Sequence, residues 1–240
     1  MMPQLSSNAD RGLIVALDGM DQDHAISRAG ELRETGCSFK VNDLMTALGV
    51  GAVSMLSPFG PVMADPKWYD VKNTMKNHML KIAPTKPKFV TVHACNTMDA
   101  LEAAQRVAKL NGICLLGVTV LTTYDTDECR SVFGKTPRTK VREFALRALS
   151  IGIQGIVCSA KEAKMLRGIP GMQDVILITP GIRPKWATNP DEQKRVTTPA
   201  QAIRNGANMV VVGRPVNNAR DYGMTPKEAV ESIFEEIRAA

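Results

Sequence analysis

Eight short apolar runs punctuate the chain: LIVALD (13–18), CSFKVN (37–42), PVMADPK (61–67), FVTVHA (89–94), CLLGVTVLT (114–122), GIVCSA (155–160), VILITPGI (175–182) and MVVVGRP (209–215). They are rich in Val, Ile and Leu and do not alternate cleanly with polar residues. Strands of that kind are buried on both faces, which is the signature of a parallel sheet. The segments between them read as helices. DALEAAQRVAKLNG holds helix formers throughout and closes on Asn111-Gly112. TTPAQAIRNGA offers Thr198 as an N-cap, Pro199 at the first helical position and Gly206 near the end. MTPKEAVESIFEEIRAA repeats that start with Thr225 and Pro226. Eight strands alternating with helices predict an α/β fold, a single-domain (β/α)8 TIM barrel over 1–240, with 1–11 as a flexible N-terminal segment. A doubly wound open sheet is the alternative, but no GxGxxG follows any run and no P-loop signature is present.

Barrels of this class place chemistry at the C-terminal ends of their strands. The last residues of the runs are Asp18, Lys40, the pair Asp65 and Lys67, His93, Thr122 and Thr123, Ser159, Pro180, and Gly213-Arg214. Polar and charged groups are therefore expected to converge on one rim. MADPKWYDVKNT (63–74) concentrates them: Asp65 and Lys67 are two apart, so a strand points both to one face, and Asp70 follows three residues later. A solvated ion pair is the plain alternative for these two residues.

Composition narrows the classes. With 240 residues and 44% apolar content the chain can bury a sizeable core. No apolar run approaches the roughly 18 residues needed to span a bilayer, and the polar start MMPQLSSNADRG lacks the apolar segment of a signal peptide. A cytoplasmic protein with no membrane partner is expected. The net charge is +6, but the basic residues are dispersed among acids and aromatics are only 5%, which supports no stacking platform and no nucleic-acid partner. The five cysteines form no CxxC pair and suit a reducing compartment; Cys114 and Cys158 read as small buried hydrophobes. The three histidines are scattered, so no zinc site is expected.

VALD (15–18), FKV (39–41), DPKWYDVKNT (65–74), TVHA (91–94), VTVLTT (118–123), VCSAKEA (157–163), TPGIRP (179–184), DEQKRVTTPAQAI (191–203) and VVVGRPV (210–216) are similar, in order and spacing, to orotidine 5'-monophosphate decarboxylases. The resemblance runs from about residue 12 to 217. It implies a lyase that converts orotidine monophosphate to UMP and carbon dioxide in pyrimidine biosynthesis, with no metal or organic cofactor. Lys40, Asp65, Lys67 and Asp70 would form the catalytic charge array, and Lys67 would stabilise and protonate carbon 6. Asp70 and Thr74 would reach the site of a neighbouring subunit, giving a homodimer with shared active sites. Trp68 and Tyr69 would pack between barrel and partner, and His93 would be structural. Asp18 would bind the ribose hydroxyls, Thr122 and Thr123 would sit by the pyrimidine, Pro180 would be a further substrate-binding residue, and Arg183, Gln193, Gly213 and Arg214 would hold the phosphate. GIRPKWATNPDEQKRVT (181–197) would be a lid, and 218–240 a terminal helix without a site. Four positions depart from the family's usual pattern: Asn42, where glycine is common; Pro66, where an aliphatic is usual; Lys72, for a proline; and Thr123, where serine is frequent. Pro66 leaves the hydrogen bonding of its strand open. The alternatives are a magnesium-dependent phosphosugar lyase of the same superfamily, which carries an acid where this chain has Lys40, and a non-catalytic nucleotide-binding barrel.

Overall fold

The computed structural model describes residues 12–187 and 197–240. The predicted segment 1–11, Gln193 and most of the predicted lid lie outside the described residues. Eight parallel strands close on themselves in chain order: β1 (Gly12–Ala16), β2 (Ser38–Val41), β3 (Val62–Trp68), β4 (Phe89–His93), β5 (Cys114–Val118), β6 (Gly155–Val157), β7 (Ile176–Thr179) and β8 (Met209–Val212). The pairing of β1 with β8, from Gly12↔Met209 to Val15↔Val212, closes the barrel and rules out the open doubly wound sheet.

The apolar runs are explained by two layers of burial. Ile14, Ala16, Met63, Phe89, Leu116, Ile178, Met209 and Val211 point inward and fill the barrel axis. Their neighbours Leu13, Val15, Val62, Ala64, Val90, Leu115, Leu177 and Val210 point outward and pack beneath the helices. Both faces are thus dry, and alternation of apolar and polar positions disappears. The interior is tight: a Cβ added at Gly155 would lie 2.2 Å from Leu116 Cδ2.

Helix signals hold at the residue level. Thr198 accepts from Gln201 N and precedes Pro199, and Thr225 forms a capping box with Glu228 ahead of Pro226. The helix Met98–Leu110 ends at Asn111, and Gly112 takes φ +68. The stretch after 217 is a 3-10 turn, Ala219–Tyr222, followed by the helix Pro226–Arg238. The expected strand ends shift. The run 114–122 is extended only to Val118, so Thr122 and Thr123 lie in the following loop, and β2 ends at Val41, one residue past Lys40. Among the described residues no helix is long and apolar enough to cross a membrane.

Cys158 is buried as expected, whereas Cys114, at the opposite end of the barrel from the rim, is only partly buried. Loss of hydration raises both thiols, Cys114 to about 12, so both stay protonated near neutral pH.

Candidate active site

A cavity of about 640 Å³ opens at the C-terminal ends of the strands. Asp18, Lys40, Asp65, Lys67, Thr122, Thr123, Pro180, Arg183, Gly213 and Arg214 all line it. Asp70 and Thr74 do not, and Gln193 lies outside the described residues.

The β1–β3 side carries the charges. Met63, Asp65 and Lys67 occupy alternate positions of β3 and all face the cavity, as the two-residue period requires. Lys67 Nζ donates to Asp65 Oδ2 at 2.7 Å, and Lys40 Nζ lies 3.2 Å from the same oxygen. Lys40 Nζ also donates to both oxygens of Asp18 at 2.7 Å. The chain of charge therefore runs Asp18, Lys40, Asp65, Lys67. Asp65 and Lys40 are the inner members, with side chains 6% and 9% exposed, while Lys67 at 31% is the lysine that presents its ammonium to the cavity. The solvated ion-pair alternative fails on the burial of Asp65.

β3 is irregular where these groups sit. Its register with β4 runs Met63↔Phe89 and Ala64↔Val90, then jumps to Trp68↔Val92. Three residues, Asp65, Pro66 and Lys67, thus bulge opposite one, Thr91. Proline has no N–H to give, and a bulge is where a strand accommodates it. Lys67 takes φ +48, a left-handed conformation that costs a side-chain-bearing residue about 1–3 kcal/mol and persists only where its surroundings enforce it. The buried Thr91 hydroxyl accepts from Lys67 N at 2.9 Å and donates to Asp65 Oδ1 at 2.8 Å. On the other flank Asn42 Nδ2 donates to the Asp65 carbonyl.

The β5–β8 side has few charges. Thr122 and Thr123 follow β5, Pro180 and Gly181 follow β7, and Gly181 turns the chain at φ +75 towards Arg183. β8 stops at Val212, so Gly213 lies just past the strand rather than ending it and leads into the short helix Arg214–Asn217. A Cβ at Gly213 would meet only ordinary contacts, 3.6 Å to Ala16 Cβ, so the protein's own packing does not demand glycine there. Among the described residues the Arg183 guanidinium makes one weak bond, to the Ile182 carbonyl at 3.4 Å, and neither it nor Arg214 forms an ion pair. The described start of the predicted lid is tied to the C-terminal region: Trp186 meets Tyr222 edge to face, and Lys185 N donates to Glu236.

The strand-end residues outside the cavity have other work. Ser159 caps the helix Ala160–Arg167, its N–H and hydroxyl both bonded to Glu162. Burial, and then the neighbouring Lys67 ammonium, push the His93 imidazole below its ordinary value. His93 meets Tyr69 edge to face, and Trp68 packs on His78 at 4.7 Å. Asp70 is exposed. Its carboxylate accepts from Val71 N and its carbonyl from Asn96 Nδ2 at 2.9 Å. Tyr69 and Val71 beside it are 63% and 68% exposed. Among the described residues the Lys72 ammonium makes only a long, exposed contact to Asp99, 3.7 Å.

Sequence reasoning missed Asn217, Met63, Val157 and Cys158 as wall residues of this site, and Thr91 as the buried group behind it that bonds Asp65 and Lys67. Thr91 had a signal: it lies two residues before His93 on the strand after DPK, so it is a polar group at an inward position of the neighbouring strand. Asn217 had none, because its role depends on a contact across 201 residues, where Nδ2 donates to the Ala16 carbonyl at 2.8 Å.

Residues 11–233 match the family described as orotidine 5'-phosphate decarboxylase / HUMPS. A protein of Rhodopseudomonas palustris strain BisB5 named orotidine 5'-phosphate decarboxylase is 41% identical over 239 residues, 97% of each chain. One of the same name from Afipia carboxidovorans is 38% identical over the whole of both chains. The crystal structure of orotidine 5'-phosphate decarboxylase from Lactobacillus acidophilus superposes with a TM-score of 0.78 at 28% identity, covering 95% of this chain and 99% of that one.

Proposed function

The chain belongs to the orotidine 5'-phosphate decarboxylase / HUMPS family, and from that premise we propose that it converts orotidine 5'-monophosphate to UMP and carbon dioxide. The observation that carries the reading is one buried carboxylate, Asp65, shared by two ammonium groups at the barrel mouth, with Lys67 facing the cavity. When the bond from carbon 6 to the carboxylate breaks, carbon dioxide leaves and the electron pair stays on carbon 6. A carbanion there has no conjugated sink. It needs a cation fixed beforehand, because a preorganised charge costs no reorganisation at the moment of reaction. Lys67 supplies that charge and then gives a proton to carbon 6; its neutral amine regains one from water. Asp65, itself held by Lys40, holds the ammonium in place, and Asp18 at the outer end of the array receives the ribose hydroxyls. Thr122 and Thr123 flank the base, and Pro180 lines the same cavity. Arg183 and Arg214, cations without an internal acid partner among the described residues, are suited to the phosphate. Binding of that remote anion can be used to order the array around the reacting carbon.

The phosphosugar-lyase reading is disfavoured by donor chemistry. Lys40 stands where a divalent cation would need an acid, and the carboxylates of Asp18 and Asp65 already serve the two lysines. UMP formation from orotidine monophosphate in the presence of EDTA tests the reading. Turnover that survives the chelator supports it, and turnover that appears only with added magnesium overturns it.

We further infer a homodimer in which Asp70 and Thr74 serve the partner's site, in a cytoplasmic enzyme. The exposure of Asp70, its place outside this chain's own cavity and the apolar Tyr69 and Val71 around it support that assembly. Subunit exchange between inactive Asp70→Ala and inactive Lys67→Ala tests it, since a mixed dimer then holds one site with both lesions and one with neither. Recovered activity is expected. Exchange shown by mass without recovery means each site is built within one chain.

A further inference from the structure

We propose that Thr91 and Asn42 form a two-sided clamp on the bulge Asp65–Pro66–Lys67 and are positioning residues for the reacting lysine; the proposal rests on the decarboxylase reading above. The ladder to β2 ends at this bulge and the ladder to β4 is interrupted across it. On the β2 side the last pair is Val41↔Ala64. On the β4 side Thr91 alone faces three residues. Pro66 contributes no N–H, so the polar backbone groups around it have to be satisfied by something other than the sheet. Two side chains do this. Asn42 Nδ2 bonds the carbonyl before the proline, and Thr91 Oγ1 accepts from the N–H after it.

Thr91 does more than fill a vacancy in the ladder. A hydroxyl has one proton, and here it goes to Asp65 Oδ1. That fixes the rotation of the carboxylate and leaves Oδ2 to both lysines. The same oxygen grips the Lys67 N–H, where φ is +48. One buried hydroxyl therefore sets the carboxylate that steers the ammonium and the backbone from which the ammonium projects. Both bonds end on the catalytic array and neither ends on the hydrophobic core. Asn42→Gly removes the side-chain amide that bonds the Asp65 carbonyl, and its unfolding temperature reads the added backbone freedom separately.

The test is steady-state decarboxylation by the full chain, with thermal unfolding read on every variant. Thr91→Val keeps shape and loses both bonds; kcat should fall by about 10²-fold, the loss typical of a small misplacement of a reacting group, with KM little changed. Thr91→Ser keeps the hydroxyl and should stay within about threefold of the parent. Asn42→Gly should lose about tenfold in kcat. Thr85→Val, which removes a hydroxyl bonded to the Ile82 carbonyl away from the cavity, is the control and should leave kcat unchanged. Rescue by serine with loss in valine supports the clamp. It is overturned if Thr91→Val turns over like the parent, or if serine and valine fall together in step with their unfolding temperatures. If Thr91→Val does not fold, Asn42→Gly decides: a folded variant with parental kcat overturns the clamp. A parent that makes no UMP removes the decarboxylase reading and the proposal with it, whereas an active parent with an equally active Thr91→Val removes the clamp alone.

Discussion

The two halves of the barrel rim solve different problems. On the β1–β4 half, Asp18, Lys40, Asp65 and Lys67 neutralise one another within the chain, and hydrogen bonds from Thr91 and Asn42 fix the bulge that carries two of them. On the β5–β8 half, hydroxyls, a proline and glycines surround Arg183 and Arg214, which have no ion-pair partner among the described residues. The first half is complete without ligand. The second presents two cations without such partners among the described residues, as the proposed phosphate site requires. A site divided this way can keep its reacting charge rigid while the binding energy of a remote group supplies affinity, which is the division that raises kcat. It also separates the costs. Breaking the first half leaves a buried charge with fewer partners, and breaking the second loses a contact made to the ligand.

Four substitutions probe that division, from the largest effect to the smallest. Lys67→Ala should lower decarboxylation by more than about 10³-fold, since one preorganised donor is worth about 10²–10³ and Lys67 also carries the proton. Single-turnover rates check it, and retention of about a tenth of parental turnover would remove Lys67 from the reaction. Asp65→Asn should cost about 2 kcal/mol of stability as well as activity, because Lys40 and Lys67 lose the charge-assisted bonds they share and Lys40 keeps Asp18 alone. Urea unfolding measures this, and an unchanged midpoint would mean the array is not preorganised by Asp65. Arg214→Ala should weaken UMP by about 2 kcal/mol, the scale of a charge-assisted bond, while leaving the slow reaction of the nucleoside lacking phosphate nearly unchanged. Equal losses for both substrates would make Arg214 structural and blur the two halves into one.

The smallest effect concerns His93, next to the charged half. Its folded-state affinity for a proton is depressed by burial and then by Lys67, so the folded chain binds fewer protons than the unfolded chain. Stability should therefore fall as pH drops below 6.5, the ordinary imidazole value, and level off once the folded form is also protonated. His93→Gln should flatten that acid-side slope in urea midpoints taken across the range. A slope left untouched would show that the depression is not coupled to folding.

Much of this was legible in the order of residues. Runs of Val, Ile and Leu buried on both faces mean a parallel sheet, and their eightfold alternation with helices means a barrel whose chemistry gathers at one rim. The two-residue period of β3 put Asp65 and Lys67 on one face before any coordinates. Thr198-Pro199 and Thr225-Pro226 marked helix starts because capping is a local interaction. What stayed hidden depends on neighbours distant in the chain. Strand ends such as Val118 are decided by where pairing stops on the adjacent strand, so Thr122 and Thr123 moved into a loop. Ser159 read as a rim group and proved to be a cap. Pro66 raised a question about β3 that only β4 could answer: three residues facing one, with the Thr91 hydroxyl in the gap. Sequence alone determined which residue types reach the rim, because side-chain direction follows from the backbone repeat. Tertiary structure decided which carboxylate oxygen serves which lysine, because that depends on groups 22 to 26 residues apart being brought within hydrogen-bond reach, and no local preference encodes such a distance.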